Sequence, residues 1–322
     1  MLATYRRTGA DPPFGDPRRP HGVAMEGWFW RITDAAGGTV VVVLAGVCRA
    51  ADGRAWGTVG LAAHPGGFSR AVAVDGAEAH ADGRLRIGDA LRADARSVEL
   101  DLGEDARVSI ALDEQVRWPR RAFGGIGAAQ AIPGLSQYWH PWLLGGRVRG
   151  HAVAGGRHLA LDGAAAYAEK NWSNGGFPDA WWWGQAHAFD DDGVCVAFAG
   201  GRAGVGALRL TATSLVVAAG GEVVRLMRVG ALGSLRVGVD ERGWRLAGRT
   251  ATGLAIEVEG HANGSAPQML PVPVPAEGRI REGAASQHLA GELHLTLRRR
   301  GRTLYAGTSR LAGLERGNAA GS

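Results

Sequence analysis

Glycine limits the fold of this chain more than any other feature, because 52 of its 322 residues are Gly and they follow no three-residue period. Each interior Gly costs a helix about 1 kcal/mol relative to Ala, so long helices are disfavoured. A collagen triple helix needs Gly at every third position and is therefore excluded. Short strands joined by tight turns accommodate this composition best.

Apolar strand patterns recur along the chain, separated by turn signals of the Asp-Gly or Gly-Gly type. Val40–Cys48 is a continuous apolar run of the buried-strand type, and alternate residues are apolar in Arg107–Leu112. Residues 120–131 come nearest to a helix, but three glycines interrupt them. We therefore predict an all-β chain with an N-terminal and a C-terminal set of strands. The further predicted strands are 85–87, 97–102, 194–199, 206–210, 222–227, 244–247, 254–259, 292–298 and 303–307.

The formal net charge of +5 invites comparison with nucleic-acid-binding proteins, but the distribution of charge does not favour one. Of the 36 basic residues 35 are Arg, interleaved with acidic residues along most of the chain. Only Arg298, Arg299, Arg300 and Arg302 form a dense run, beside a strand pattern where a solvated edge is expected. We predict no nucleic-acid partner.

The two cysteines and the N-terminus indicate an intracellular protein. Cys48 and Cys195 lie far apart in apolar runs without metal-ligand neighbours, which predicts buried thiols rather than a disulfide or a metal site. Arg6 and Arg7 are not followed by the apolar region of a secretory signal. The longest apolar run, Val40–Val47, is far short of the roughly 20 residues that span a bilayer. We expect a soluble, cytoplasmic protein.

Tryptophan is the second unusual feature, since six of the eleven Trp residues lie between positions 139 and 183. Indole rings are common core residues because they bury large areas. Here, however, polar side chains alternate with the rings in three segments, and a purely structural core avoids buried polar groups. The mixture favours a binding or catalytic role for these segments.

The first two segments are residues 25–32 and 133–142. As a strand, the first places Glu26, Trp28 and Trp30 on one face. The second is rich in Pro, so we predict a loop that closes over a ligand rather than a central strand. Within it, His140 either anchors the loop or exchanges a proton with a bound hydroxyl group. Its remaining candidate residues are Gln137, Tyr138 and Trp139.

The third segment, residues 167–189, contains two strand patterns joined by a turn. In the first strand Tyr167, Glu169 and Asn171 share one side, and Lys170 and Trp172 share the other. If the larger face of the second strand lines a barrel, its lumen is an aromatic box with a few hydrogen-bonding groups, as in many sites for apolar molecules. That larger face consists of Trp181, Trp183, Gln185, His187 and Phe189.

These segments supply groups for acid catalysis. A carboxylic acid beside indole rings has its pKa raised by desolvation, so it can donate a proton near neutral pH. Indole faces also stabilise a carbocation. For Glu169 and Lys170 the alternative interpretation is a surface ion pair of little energetic value. The candidate catalytic residues are Glu169, His140, Glu26, Lys170 and Asn171, and the candidate substrate-binding residues are Trp28, Trp30, Gln137, Tyr138, Trp139, Tyr167, Trp172, Trp181, Trp183, Gln185 and His187.

Motifs for common cofactors do not occur in the sequence. It has no phosphate-binding loop, dinucleotide fingerprint, HExxH zinc motif or nucleophile elbow. We therefore predict a reaction without cofactor or metal, or simple binding.

The same segments resemble the tocopherol cyclase family. Residues 26–29 (EGWF) are similar to an early motif of that family, and residues 134–147 (GLSQYWHPWLLGGR) to a longer second one. Residues 167–178 (YAEKNWSNGGFP), with the Trp run after them, resemble a third. Residues 291–295 (GELHL) resemble a strand near the C-terminus of the family, so the resemblance covers nearly the whole chain.

The resemblance implies a tandem lipocalin-like fold shared with carotenoid hydratase-like proteins, which we place as two antiparallel β-barrel domains at 1–165 and 166–322. It also implies a cofactor-free cyclisation, in which a prenylated hydroquinone closes its phenolic oxygen onto the first prenyl double bond and forms a chromanol ring. An acid protonates the alkene, indoles shield the cation and a polar group orients the phenol. Our candidate for the acid is Glu169, with Glu26, His140 or Asp179 as alternatives.

Departures from the family pattern leave the identity of the substrate open. The turn at 173–176 is one residue longer than the pattern, and Phe29-Trp30 replaces Tyr-Phe. Rival functions are hydration of an isolated alkene and non-catalytic carriage of an apolar ligand. For an apolar prenylated substrate, peripheral contact with a membrane is a route of access that stays open. The sequence predicts no oligomeric state.

Overall fold

The computed structural model of the protein describes residues 23–50, 52–80, 84–119, 122–175, 177–191, 193–205, 208–263, 266–273 and 279–318. These residues form β-strands and one short 3-10 helix, η1 (Gly127–Ala131), with no α-helix among them. The predicted all-β class is therefore confirmed. No helix in the described part of the chain has the length and hydropathy needed to cross a membrane.

The first sheet is antiparallel and contains twelve strands. They are β1 (Met25–Asp34), β2 (Thr39–Arg49), β3 (Ala55–His64), β4 (Phe68–Asp75), β5 (Ala77–Ala79), β6 (Leu85–Ile87), β7 (Leu91–Ala93), β8 (Ser97–Asp101), β9 (Ala106–Arg117), β10 (Tyr138–Ala154), β11 (Arg157–Ala160) and β12 (Ala165–Ser173). Their spatial order is β4-β3-β2-β1-β12-β10-β9-β8-β7-β6-β5, with β11 paired to β10. Strand β12 is thus central, between β1 and β10.

The second sheet contains eleven strands. They are β13 (Ala180–Ala186), β14 (Cys195–Val205), β15 (Leu208–Ala219), β16 (Glu222–Val229), β17 (Leu232–Gly233), β18 (Leu235–Val239), β19 (Gly243–Arg249), β20 (Leu254–His261), β21 (Gln268–Pro273), β22 (Ile280–Arg299) and β23 (Arg302–Asn318). The spatial order is β17-β16-β15-β14-β13-β23-β22-β20-β19-β18, with β21 paired to β22. Each strand predicted from the sequence overlaps one of the observed strands, and residues 206–207 of one prediction lie outside the described residues.

Each sheet curls into a nearly closed antiparallel barrel. In the first sheet the Gly88 amide donates to the Gly76 carbonyl (2.9 Å), and the Gly76 amide donates to the Ala55 carbonyl (3.3 Å). Strand β3 also approaches β6 so closely that a Cβ at Gly57 would overlap the Ile87 side chain. The absence of a side chain at Gly57 is therefore part of the closure.

In the second sheet, strands β16 and β18 approach the same glycine of β19. A Cβ at Gly248 would lie 2.5 Å from the Ser234 carbonyl oxygen and 2.8 Å from Leu226 Cδ1. The two predicted barrels in tandem are confirmed.

The interior of the first barrel is packed with side chains. Trp28, Trp30 and Ile32, which alternate along β1, belong to one buried cluster with Val41 and Val43 of β2. The strand period therefore puts the two indoles on one face, as predicted. The opposite face of β1 is buried as well, because every residue from Met25 to Thr33 is buried.

The predicted domain boundary at 165/166 is wrong. Strand β12 pairs with β1 and β10, so it belongs to the first sheet. The described residues divide into two compact units, the first extending to Phe177 and including Leu270–Ala284, the second containing Pro178–Met269 and the described residues from Ala285 onwards. Within the first unit, Arg279 forms an ion pair with Asp75 (2.6 Å) and lies 5.6 Å from the Trp56 ring centroid.

The prediction of a loop over residues 133–142 is only partly correct, because strand β10 already begins at Tyr138. Pro141 lacks an amide proton for the ladder. The pairing of β10 with β12 shifts register between Pro141 and Leu143, and this irregularity accommodates the proline inside a long strand.

Both cysteines are free, fully buried thiols, as predicted. Burial raises the pKa of Cys48 to about 12, against a smaller lowering by the Arg49 charge. Burial likewise raises the pKa of Cys195 to about 12, and a hydrogen bond from Gln185 offsets little of that rise.

We expect neither cysteine to react with a maleimide at pH 8 while the protein is folded. With a pKa of about 12, only about one thiol in 10,000 is a thiolate at that pH. Mass spectrometry should show no label on the native protein and two labels after unfolding in guanidinium. Rapid labelling of either thiol in the native state would contradict the described burial.

The Gly57→Ala variant should lower the free energy of unfolding by about 1–3 kcal/mol, because the new methyl group overlaps the buried Ile87 side chain. Gly60→Ala on the same strand is the control, since its Cβ meets the flexible end of Leu44 at 3.3 Å. Urea unfolding measures both. Equal stabilities would show that barrel closure does not require Gly57.

Candidate active site

The face of β12 that points away from the barrel interior carries a hydrogen-bonded carboxyl group. Glu169 is 5% exposed, and its Oε2 accepts hydrogen bonds from the Tyr167 hydroxyl (2.5 Å) and from Trp139 Nε1 (2.8 Å). Tyr167 lies two residues earlier on β12, and Trp139 lies on the neighbouring strand β10. These three residues are called the Glu169 cluster.

The donors of the Glu169 cluster are both neutral. Two hydrogen bonds to one carboxylate oxygen hold the group in place and stabilise its negative charge. A proton given up by Glu169 therefore leaves a carboxylate that protein donors already stabilise in a site shielded from water. The cluster is suited to give a proton to a weakly basic group.

The opposite face of β12 carries an ion pair inside the first barrel. Lys170 is the only lysine of the chain and is fully buried. Its Nζ lies 3.3 Å from Glu26 Oε1, and 5.6 Å and 5.2 Å from the ring centroids of Trp28 and Trp172. Glu26 Oε2 lies 3.9 Å from Arg49 Nη1. Opposite charges and aromatic faces together stabilise the buried ammonium group.

Glu169 and Lys170 do not form the surface ion pair that was the alternative interpretation. They are consecutive on a strand, so they point to opposite faces, and both are buried. The predicted division of the strand, with Tyr167 beside Glu169 and Trp172 beside Lys170, agrees with the observed contacts.

Tyr138 holds the loop before β10 through hydrogen bonds to its backbone. Its ring stacks on Trp172, with a centroid distance of 5.1 Å and an interplanar angle of 4°. Its hydroxyl donates to the Ile132 carbonyl (2.6 Å) and accepts from the Leu135 amide (3.0 Å). Burial raises the pKa of Tyr138. Gln137 Nε2 donates to the Tyr138 carbonyl at 3.4 Å.

Asn171 and His140 occupy different faces of the sheet. Gly27 lies opposite Asn171, and a Cβ at Gly27 would be 2.7 Å from Asn171 Oδ1, so this glycine makes room for the amide group. His140 lies opposite Lys170 in the β10–β12 register and is buried. Its ring meets the edge of Trp118 at a centroid distance of 5.6 Å.

Three alternative acids differ from Glu169 in their surroundings. Glu26 is held by two cations, which favour its ionised form over a proton donor. Asp179 is exposed at a bend and lacks an apolar environment. His140 is on the Lys170 side of the β10–β12 pair. Among these candidate acids, Glu169 has a buried carboxyl group that accepts hydrogen bonds from two neutral donors.

The large side chains of β13 do not fill the second barrel, so the expectation of an aromatic lumen is wrong. The core of this unit takes Ala186 from the small face, and a Cβ at Gly184 would overlap the Phe198 ring. Large residues of other strands, among them Trp244 and Leu293, occupy the interior, and Trp182 of β13 packs against this core from the same face as Ala186. One residue of the predicted larger face, Phe189, belongs to the core of the second unit. The other four are buried but are not part of that core cluster: Trp181, Trp183, Gln185 and His187.

Glu315 is not among the residues predicted from the sequence. Its Oε1 accepts a hydrogen bond from Trp181 Nε1 (2.6 Å), and its Oε2 accepts one from Gln287 Nε2 (2.8 Å). Strand register brings the group there, because Glu315 of β23 is opposite Trp183 on one side and Gln287 on the other. No local motif surrounds Glu315, so the sequence offers no signal for it.

Two of the predicted polar residues, one in β13 and one just after it, take part in hydrogen bonds. Gln185 is fully buried, and its Nε2 donates to Cys195 Sγ at 3.8 Å. The backbone carbonyl of His187 accepts a hydrogen bond from the Ser309 hydroxyl.

Arg31 is a buried cation that was also not predicted. It lies on β1 opposite Tyr167 and is fully buried, and desolvation lowers its pKa to about 9. An Arg inside the otherwise apolar run Gly27–Ile32 is the signal that points to it. Within the described ranges, no group of three or more His, Cys, Asp or Glu side chains is placed to hold a metal ion.

Replacing Lys170 with Met should lower the free energy of unfolding by about 3–5 kcal/mol, because it leaves the buried Glu26 carboxylate without its nearest cation. The double variant Glu26→Leu, Lys170→Met should recover most of that loss. Urea unfolding of the four proteins in this cycle measures the coupling. If the two single effects simply add, the residues do not act as a pair.

Several solved structures have a similar fold. Kievitone hydratase from Nectria haematococca matches with a TM-score of 0.53 and 10% identity, over 97% of this chain and 95% of that one. A putative AttH from Nitrosomonas europaea matches with a TM-score of 0.55 and 14% identity, over 92% and 93% of the two chains. CghA matches with a TM-score of 0.60 and 12% identity, over 93% and 90%. At these identities the likeness concerns the fold.

A family model gives the more specific comparison. The model described as Tocopherol cyclase-like matches residues 103–318, about two thirds of the chain. The matched range includes the Glu169 cluster and Lys170, and it reaches Glu315 in β23. The chain belongs to the tocopherol cyclase-like family.

Proposed function

We propose that this protein is an acid-catalysed cyclase that acts on a prenylated aromatic alcohol, with Glu169 as the proton donor. Membership of the tocopherol cyclase-like family supports an enzyme of the cyclase or hydratase type. The observation that carries the proposal is the Glu169 cluster, a buried carboxyl group that accepts hydrogen bonds from the neutral Tyr167 hydroxyl and Trp139 indole.

The reaction consists of one proton transfer and one ring closure. Glu169 gives its proton to the CH carbon of the prenyl double bond, and the tertiary carbon becomes a cation. The phenolic oxygen then forms a bond to this carbon and closes a six-membered ring. The phenol loses its proton, which returns to the carboxylate through solvent or directly. The product is an isomer of the substrate, so the reaction needs no oxidant or reductant.

The residues around Glu169 suit both steps. The hydroxyl of Tyr167 and the indole N–H of Trp139 stabilise the carboxylate that forms during protonation. The buried Phe29 lies opposite Glu169 on β1, so aromatic rings flank the acid from both neighbouring strands. Aromatic faces stabilise a cation and displace water, which favours attack by the phenol over attack by water.

Hydration of the alkene is the second candidate function. It uses the same proton transfer, with water in place of the phenol as the nucleophile. The fold similarity to kievitone hydratase supports this alternative, since that protein is named for a hydration. A third possibility, carriage of the ligand without reaction, shares the fold but needs no acid.

The Glu169→Gln variant should lower kcat by at least about a thousandfold, because the amide cannot donate the proton. Substrate binding should be retained, since the side chain keeps its size. Tyr167→Phe removes one donor from the carboxylate and should lower kcat by about tenfold. Chiral chromatography of the chromanol formed from a prenylated hydroquinone measures turnover, and quenching of Trp fluorescence measures binding.

Glu104→Gln, at an exposed turn of the first unit, is the matched control and should keep wild-type turnover. Full activity of Glu169→Gln would remove Glu169 as the acid. Formation of a tertiary alcohol instead of a ring would favour the hydratase, and binding without conversion at any pH would favour the carrier.

A further inference from the structure

We propose that the second unit docks on an anionic lipid surface through an exposed apolar patch with arginines beside it. The patch consists of Leu210, Val229 and Leu232 and is called the apolar tip. The proposal rests on the surface of the second unit and does not depend on the reaction at Glu169. A vesicle-binding experiment therefore tests it without any assay of turnover.

The apolar tip is formed by side chains that share one face of three neighbouring strands. Val229 of β16 lies opposite Ala212 of β15 on one side and opposite Leu232 of β17 on the other. Leu210 is two residues before Ala212 on β15, so it shares that face. A Cβ at Gly230 would lie 3.6 Å from Leu210 Cδ2, which places Leu210 beside the end of β16. The three side chains are therefore adjacent.

The side chains of the apolar tip are exposed. The exposed fractions are 78% for Leu232, which directly follows a turn, 40% for Leu210 and 36% for Val229. The other face of β15 and β16 supplies Leu215 and Leu226, which lie opposite each other in the buried core. A single exposed apolar residue is ordinary on a protein surface, whereas adjacent ones on neighbouring strands indicate a binding surface.

Positive charge is concentrated in the same part of the chain. Residues 195–239 contain five arginines and one acid, whereas the whole chain has a formal net charge of only +5. The one acid, Glu222, begins β16 and is about 23 Å along this strand from Val229. The charge near the apolar tip is therefore positive, which complements the head groups of anionic lipids.

Two arginines illustrate this placement. Arg228 Nε donates to the Gly230 carbonyl at 2.9 Å, so this cation lies at the turn that precedes Leu232. Arg236 on β18 is exposed, and its neighbour Leu235 belongs to the core, so Arg236 points away from the core. Attraction between such cations and anionic lipids adds to the insertion of apolar side chains.

A lipid surface fits the apolar tip better than a protein partner does. A stable protein interface buries roughly 800 Å² on each partner, which is more than three partly exposed side chains offer. A second copy of this chain would also bring like charges together. A peripheral membrane contact needs only a few apolar side chains that enter the interface and cations that meet the head groups.

The hairpin between β22 and β23 is a second arginine-rich place, but it lacks such a patch. Its arginines are Arg298, Arg299, Arg300 and Arg302. Arg298 forms an ion pair with Glu257 at 2.7 Å. Among the described residues of this hairpin, Leu304 alone is a large exposed apolar side chain. Because membrane affinity increases with the buried apolar area, the apolar tip is the better docking surface.

The test measures binding of the full chain to vesicles by flotation. The wild type should bind phosphatidylcholine vesicles with about one third phosphatidylglycerol more tightly than vesicles of phosphatidylcholine alone, and added salt should weaken this binding. Leu232→Asp should weaken binding to the anionic vesicles by at least about tenfold, because it places a charge in the apolar contact. Arg236→Gln should weaken it by about fivefold and leave binding to neutral vesicles unchanged.

Val116→Asp, at a 44% exposed position on β9, is the matched control and should bind as the wild type does. Thermal melting establishes that each variant is folded. The proposal is overturned if Leu232→Asp binds normally, if the wild type does not prefer anionic vesicles, or if Leu304→Asp alone abolishes binding. It is also overturned if the wild type ignores vesicles and sedimentation velocity shows a dimer that Leu232→Asp dissociates, since the partner would then be a second copy.

Discussion

Alternation of side chains along β12 is the constraint on which the rest of the candidate site depends. Both faces of this strand are buried, so its neighbouring charges Glu169 and Lys170 are directed to different environments. Lys170 neutralises Glu26 inside the first barrel, and Glu169 meets neutral donors on the other face. If the two charges shared a face, they would pair, and the carboxyl group would be ionised and have no proton to donate.

Carboxyl groups are held in two ways in this structure, by cations or by neutral hydrogen-bond donors. Glu26 is paired with cations and lies among the core indoles, where its loss unbalances the barrel interior. Glu169 and Glu315 each accept one hydrogen bond from an indole N–H and one from a second neutral donor. Hydrogen bonds from neutral donors stabilise the carboxylate that remains after Glu169 gives up a proton. The role proposed for Glu169 builds on these two hydrogen bonds.

The alternation of residues along a strand predicts correctly which neighbouring side chains share a face. The strand period of two places Trp28 with Trp30 and separates Glu169 from Lys170, and both follow from residues a few positions apart. The orientation of β13 did not follow, because it depends on which strands supply the large core residues. Glu315 meets Trp181 across 134 positions of sequence, through register that no local pattern contains. The start of β10 was missed because a register shift tolerates Pro141 in a paired strand.

Solvent isotope labelling tests the central claim most directly, namely that an acid of the protein protonates the alkene. Cyclisation of a prenylated hydroquinone in D2O should place one deuterium on the methylene carbon made from the alkene CH. That deuterium should lie on a single stereochemical face, because the acid exchanges with solvent and is fixed in position. A ring-closed product without deuterium, or with deuterium distributed over both faces, would contradict protonation by a fixed carboxyl group.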